Sequence, residues 1–154
     1  MQPRDGRTLR TRVARQIDAD PTSTALLLAG PTALDLWPGL RRVGEAGGRL
    51  LVEAELAGVP PLPAAATVRA EPPRRTPTAY VTTFAWTGPG LPVTRGELVL
   101  HYAPGALRPG TTAQLTLDSE GVEASRVTAH DLEQMAMAFL ANLAAAAEAR
   151  CHAA

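Results

Sequence analysis

Lysine is absent: all fifteen basic residues are arginine, and fifteen acidic residues bring the formal net charge to zero. A neutral chain has no strong electrostatic pull toward nucleic acid or an anionic membrane surface, so no nucleic-acid partner is expected. Arginine without lysine, beside abundant alanine, glycine and proline, reads as the codon bias of a GC-rich genome. Cysteine occurs once, as Cys151, which excludes an internal disulfide and a thiolate zinc cluster. Apolar runs are short. The strongest, Ala25–Ala29, falls far below the roughly 18 residues of a spanning helix. The N-terminal MQPRDGRTLR has no apolar core of a secretory signal. A cytoplasmic protein without stable membrane insertion is expected.

What is present is a 154-residue chain with 45% apolar residues, enough for one domain with its own core. Residues 1–7 read as a flexible N-terminus, 8–150 as the domain and 151–154 as a tail. Thr8–Ile17 alternates as a half-buried strand, with Leu9, Val13 and Ile17 on one face and Arg15 intruding on it. Asp20-Pro21 is a cap-and-start signal for a short helix stopped at Gly30-Pro31. A second short helix spans Thr32–Trp37. Strands follow at Leu40–Glu45, Arg49–Ala57, Ala64–Glu71, Thr78–Thr87, Val93–Ala103 and Thr111–Ser119, separated by proline and glycine loops. The period then changes. Leu132, Met135, Ala136, Phe139, Leu140, Leu143 and Ala147 form one broad helical stripe from Asp131 to about Arg150, with Thr128 or His130 as its cap. A sheet with one apolar face needs a cover, and this helix is the element able to supply it. The fold class is therefore α+β: a curved antiparallel sheet of about six or seven strands around a long C-terminal helix, with two short helices after the first strand.

The segment Leu36-Trp37-Pro38-Gly39-Leu40, and Pro109-Gly110-Thr111-Thr112 leading into the last strand, together with this order of elements, resemble the START-like, or SRPBCC, superfamily. Its helix-grip fold includes polyketide cyclase-like proteins, the birch pollen allergen family and a family associated with carbon monoxide dehydrogenase. The resemblance covers residues 8 to 150. It implies a cavity between sheet and helix that takes a small hydrophobic molecule such as a lipid, an isoprenoid or a polyketide-like compound. Members of the dehydrogenase-associated family often carry a membrane-associating extension, whereas this chain ends just after the helix, so membrane recruitment is not expected.

On these strand phases the inward-facing, ligand-binding set is Val52, Leu56, Val68, Tyr80, Phe84, Trp86, Leu98, Leu100, Tyr102 and Leu115. Met135 and Phe139 face it from the helix, and Trp37 sits in the helix-to-strand corner, which the resemblance implies is near the cavity mouth. Alternation fits a packed core as well as a hollow one. Met135 and Met137 are adaptable gap fillers or ligand contacts. His101, Arg95 and Glu97 fall on the outward phase. A register slip of one residue would bring them inward and allow acid–base work. An enzyme of the cyclase or dehydratase type would need at least two of Tyr80, Tyr102, Arg95, Glu97 and His101 to point inward. The three histidines have no ligand spacing, so no metal is expected. No cofactor is expected either. Arg74-Arg75 reads as solvated loop. A third possibility is an accessory role through a protein partner or as a homodimer.

Overall fold

A computed structural model of the chain describes residues 8–28, 36–37, 40–46, 49–54, 66–70, 73–87, 95–102, 110–120 and 129–152. Among the described residues eight strands form one antiparallel sheet: β1 (Thr8–Ile17), β2 (Leu40–Ala46), β3 (Arg49–Ala54), β4 (Ala66–Ala70), β5 (Arg74–Arg75), β6 (Ala79–Thr87), β7 (Arg95–Tyr102) and β8 (Thr111–Glu120). Two helices accompany them, α1 (Pro21–Leu26) and α2 (Ala129–His152). The strand order is β1-β8-β7-β6-β4-β3-β2, with β5 pairing β6 beside that path. The first strand thus pairs with the last, and β1 and β2 are the two ends of the sheet.

The expected period-2 phases hold along β8 and through the middle of β6 and β7. Along β8, Thr111, Ala113, Leu115, Leu117 and Ser119 are buried and the residues between them are half-exposed. Register carries that phase to both neighbours: Leu115 lies opposite Val13 on β1 and opposite Leu98 on β7. The opposite face of β1 and β8 is a polar ladder. Arg10 donates from Nε to Asp118 Oδ1 at 2.7 Å, Arg12 to Thr116 Oγ1 at 3.4 Å, and Gln16 to Thr112 Oγ1 at 2.9 Å. The carboxylate of Asp118, by hydrogen bond and then by charge, raises the Arg10 guanidinium above its ordinary value. Directly opposed pairs of this kind are the unit by which a sheet holds its register.

Asp20 caps α1 as its sequence suggests: its Oδ2 accepts from Ser23 N at 3.0 Å, and Pro21 takes the first helical position. The helix ends earlier than expected, at Leu26. The N–H groups of Leu27 and Leu28 donate three residues back, to Thr24 and Ala25, which tightens the last turn before Gly30-Pro31 is reached. The second short helix, Thr32–Trp37, lies mainly outside the described residues. Arg74-Arg75 is not loop but the short strand β5, paired with Val81 and Tyr80. The turn between β5 and β6 is closed by Thr76, whose N–H donates to Ala79 O at 2.8 Å, with Pro77 at its second position. Both arginines are nonetheless exposed. In β2 the register shifts between Arg42 and Gly44, a bulge within the first hairpin.

α2 begins at Ala129, so His130 sits within its first turn and is not its cap. The predicted stripe is the buried one: Leu132, Ala136, Phe139, Leu140, Leu143 and Ala147 are buried, joined by Ala144, and Met135 packs against them. The helix lies against β1 and β8 and touches α1, and no comparable backbone approach to β2, β3 or β4 exists among the described residues. Neither helix is long and apolar enough to cross a membrane.

Candidate functional site

Three aromatic rings bridge the layer between sheet and helix where α2 stands away from the far strands. Trp37 stacks on Phe139 of α2, with centroids 4.1 Å apart and planes inclined by 29°. It meets Phe84 of β6 edge-on at 5.5 Å and 85°. Phe84 and Phe139 close the trio at 6.0 Å and 74°. These are the offset-stacked and T-shaped geometries that aromatic quadrupoles favour. Trp37 is held from behind, because Asn142 of α2 donates from Nδ2 to the carbonyl of Leu36 at 2.8 Å. The indole therefore wedges between β6 and α2, against the two rings through which strand and helix meet.

Around the trio the inner wall is apolar. Leu98, Leu100 and Leu115 are fully buried in the same cluster, and Tyr80 and Met135 are half-buried at its margin. The Tyr80 hydroxyl shares a hydrogen bond of 3.0 Å with Thr22 Oγ1, which ties α1 to β6. Within this wall stands one polar group that the strand pattern does not single out. Thr82, between Tyr80 and Phe84 on the inner face and opposite Leu98, is 1% exposed, and its Oγ1 has no hydrogen-bond partner among the described residues. Ser119 Oγ is in the same condition at the far end of β8. By contrast the buried Thr111 hydroxyl donates to Ala19 O at 2.6 Å. Buried hydroxyls nearly always find a partner, so both oxygens call for an explanation, and Thr82 is the one on the strand and phase of Phe84. Its phase with Tyr80 and Phe84 separates it from Thr112 and Thr116, which face the other way, but nothing in the sequence marks its hydroxyl as unpartnered.

Of the expected ligand-facing residues, Trp37, Tyr80, Phe84, Leu98, Leu100, Leu115, Met135 and Phe139 come together. Val52, Val68 and Trp86 lie in β3, β4 and β6, where register pairs Val68 with Trp86, and their side chains are outside the described set. Leu56 lies outside the described residues altogether. Tyr102 is a correction. It keeps the phase of Leu98 and Leu100, but it is the last residue of β7, and its side chain is 47% exposed. Met137 is another: it is 48% exposed on the outer flank of α2 and does not fill a core gap.

The condition set for acid–base chemistry is not met. Arg95 and Glu97 are exposed on the outer phase of β7, His101 shares that phase, and Tyr102 points to solvent. Tyr80 alone reaches the inner wall. Among the described residues there is no group of histidine, cysteine and carboxylate side chains able to hold a metal ion.

No protein-family model matches the sequence, and no curated protein matches it. Solved structures do match. A conserved protein from Geobacillus kaustophilus superposes with a TM-score of 0.62 at 12% identity, over 91% of this chain and 95% of that one. A protein from Thermus thermophilus gives 0.56 at 16% identity, over 92% and 99%. A point mutant of norcoclaurine synthase from Thalictrum flavum, solved with a transition state analogue, gives 0.54 at 13% identity, over 92% and 97%. The chain has the helix-grip fold. At these identities the likeness is one of fold alone.

Proposed function

We propose that the chain binds a small hydrophobic molecule, of the lipid, isoprenoid or polyketide-like class, between the inner face of the sheet and α2. The observation that carries this reading is the Thr82 hydroxyl, buried and unpartnered among the described residues, in a wall otherwise made of Phe84, Leu98 and Leu100. An apolar surface with one placed hydrogen-bonding group is the usual make-up of a small-molecule site: area supplies affinity and the polar point fixes orientation. The way α2 leans on β1 and β8, with Trp37 stacked on Phe139 and set edge-on to Phe84, supports it further, since it places an aromatic surface between sheet and helix. A solved neighbour of this fold that holds a transition state analogue agrees with it.

The test has two arms. Protein purified without detergent is analysed by native mass spectrometry for co-purifying ligand, and its binding of an apolar fluorophore is titrated. Phe84→Leu is expected to weaken the fluorophore at least about tenfold, consistent with the loss of aromatic contact in a buried site. Met137→Ala, on the outer flank, is expected to leave binding unchanged. Absence of both co-purified ligand and fluorophore binding sinks the reading, as does an equal loss in the two variants.

A further inference from the structure

The expected partners include a possible second copy of the chain, and an open edge of the sheet offers one a place. β1 ends the sheet, and no described strand lies on its free side. Its register with β8 runs from Thr8 to Ile17 without a bulge, and it contains no proline. A long, regular edge is a template for another strand unless something blocks it. Beside it, between β1 and α2, lies an open groove of about 620 Å³. Arg12, Val13 and Arg15 line it from the strand; Glu133, Met137 and Ala141 line it from the helix.

Three arginines, Arg10, Arg12 and Arg15, stand on this strand, and in most pairings they would repel a copy. The levels of helix and strand identify one that they do not oppose. The N–H of Asp18 donates to Glu148 Oε2 at 2.9 Å, so the end of β1 is level with residue 148 of α2. From Glu148 back to Glu133 the helix rises about 22 Å. That is the length of about seven strand residues. With α2 running alongside β1, Glu133 falls near the level of Thr11 and Ala141 near that of Arg15, and the groove is lined by Glu133 and Ala141 together with residues 12 to 15 of the strand.

We propose that β1 pairs antiparallel with β1 of a second copy, about a two-fold axis normal to the sheet at Val13. A normal two-fold keeps inner face with inner face, and the two copies of α2 then lie on the same side. The ladder runs from Leu9 to Ile17. On the inner face Val13 meets the partner's Val13, Leu9 meets the partner's Ile17, and Thr11 meets the partner's Arg15. On the outer face Arg12 faces the partner's Ala14, and Arg10 faces the partner's Gln16. No arginine lies directly opposite another. Because Thr11 is level with Glu133, the partner's Arg15 arrives beside the Glu133 carboxylate, and the two-fold makes that ion pair twice. Moving the axis to Arg12 opposes two arginines at the centre. Moving it to Ala14 shortens the ladder and puts Arg15 opposite Val13, away from Glu133. The charges select the register, and the exposed Met137 of each copy gains cover. Isologous contacts of this kind are the commonest route to a closed homodimer.

Sedimentation equilibrium of the full chain tests this. The expected result is a reversible dimer. Arg15→Glu places a carboxylate beside Glu133 and is expected to raise the dimer Kd at least about tenfold, since like charges brought together across an interface are costly. Glu133→Arg is expected to do the same, and the double variant Arg15→Glu, Glu133→Arg to restore wild-type association. Circular dichroism confirms that each variant keeps its fold, and both positions are exposed. A chain that stays monomeric up to about 1 mM, the concentration that reveals even a very weak complex, overturns the proposal. So does a dimer whose Kd ignores Arg15→Glu, or a double variant that is no better than the singles. None of these outcomes bears on whether the interior binds a hydrophobic molecule.

Discussion

Trp37 occupies 1% of its possible exposure and touches both layers of the fold through Phe84 and Phe139. Removing it would open a void that neither rigid partner can close. Trp37→Ala is expected to cost about 3–5 kcal/mol, read as a lowered urea midpoint. Thr82 has the opposite character. Its hydroxyl is buried without a partner among the described residues, so the isosteric Thr82→Val removes a desolvation penalty and is expected to leave stability equal or raised. If that oxygen serves a ligand, the same change weakens a ligand with a polar end by about 1 kcal/mol, roughly fivefold, and spares a pure hydrocarbon. A calorimetric titration of each ligand type separates the two effects. A stability loss with unchanged binding would return Thr82 to an ordinary structural role.

The long helix is the element in which sequence and structure agree most closely. Its stripe from Leu132 to Ala147 is the buried face, because a 24-residue helix covering a sheet must write its contact into the 3.6 period. Leu140 is fully buried in that stripe, and Leu140→Ala is expected to destabilise by about 2–5 kcal/mol in chemical denaturation. The phases of β1, β6, β7 and β8 are legible for the same reason, with period 2 in place of 3.6. Other features escape the pattern for physical reasons. Two-residue β5 is too short to show a period, and the prolines at 72, 73 and 77 hide it. Tyr102 keeps the inward phase yet is exposed, since alternation marks a face of a strand and not how far the cover extends along it. Arg15 breaks the β1 pattern because it stands where α2 leaves the strand edge open as a groove.

At the scale of the molecule, fold class and the apolar wall are readable from the sequence, while the contents of the interior are not. Alternating residues describe a surface, and the Trp37–Phe139 stack joins positions about a hundred residues apart through geometry that no local pattern encodes. A ligand that fits between sheet and helix binds only the folded chain. At a free concentration one hundred times its Kd it is expected to add about 2.7 kcal/mol of stability, visible as a concentration-dependent rise in Tm. An apolar compound that leaves Tm unchanged at saturation in the fluorophore assay would argue for surface adsorption in place of a specific site.

The pairing of the first strand with the last has a consequence for how the chain is made. The side-chain hydrogen bonds between β1 and β8 join residues 96 to 108 positions apart in sequence. At synthesis rates of about 5–20 residues per second, β1 leaves the ribosome some 5–20 s before its partner exists. During that interval its residues have no sheet partner, and the like charge of its three arginines, which suits a specific pairing in the finished protein, opposes the association of one nascent segment with another.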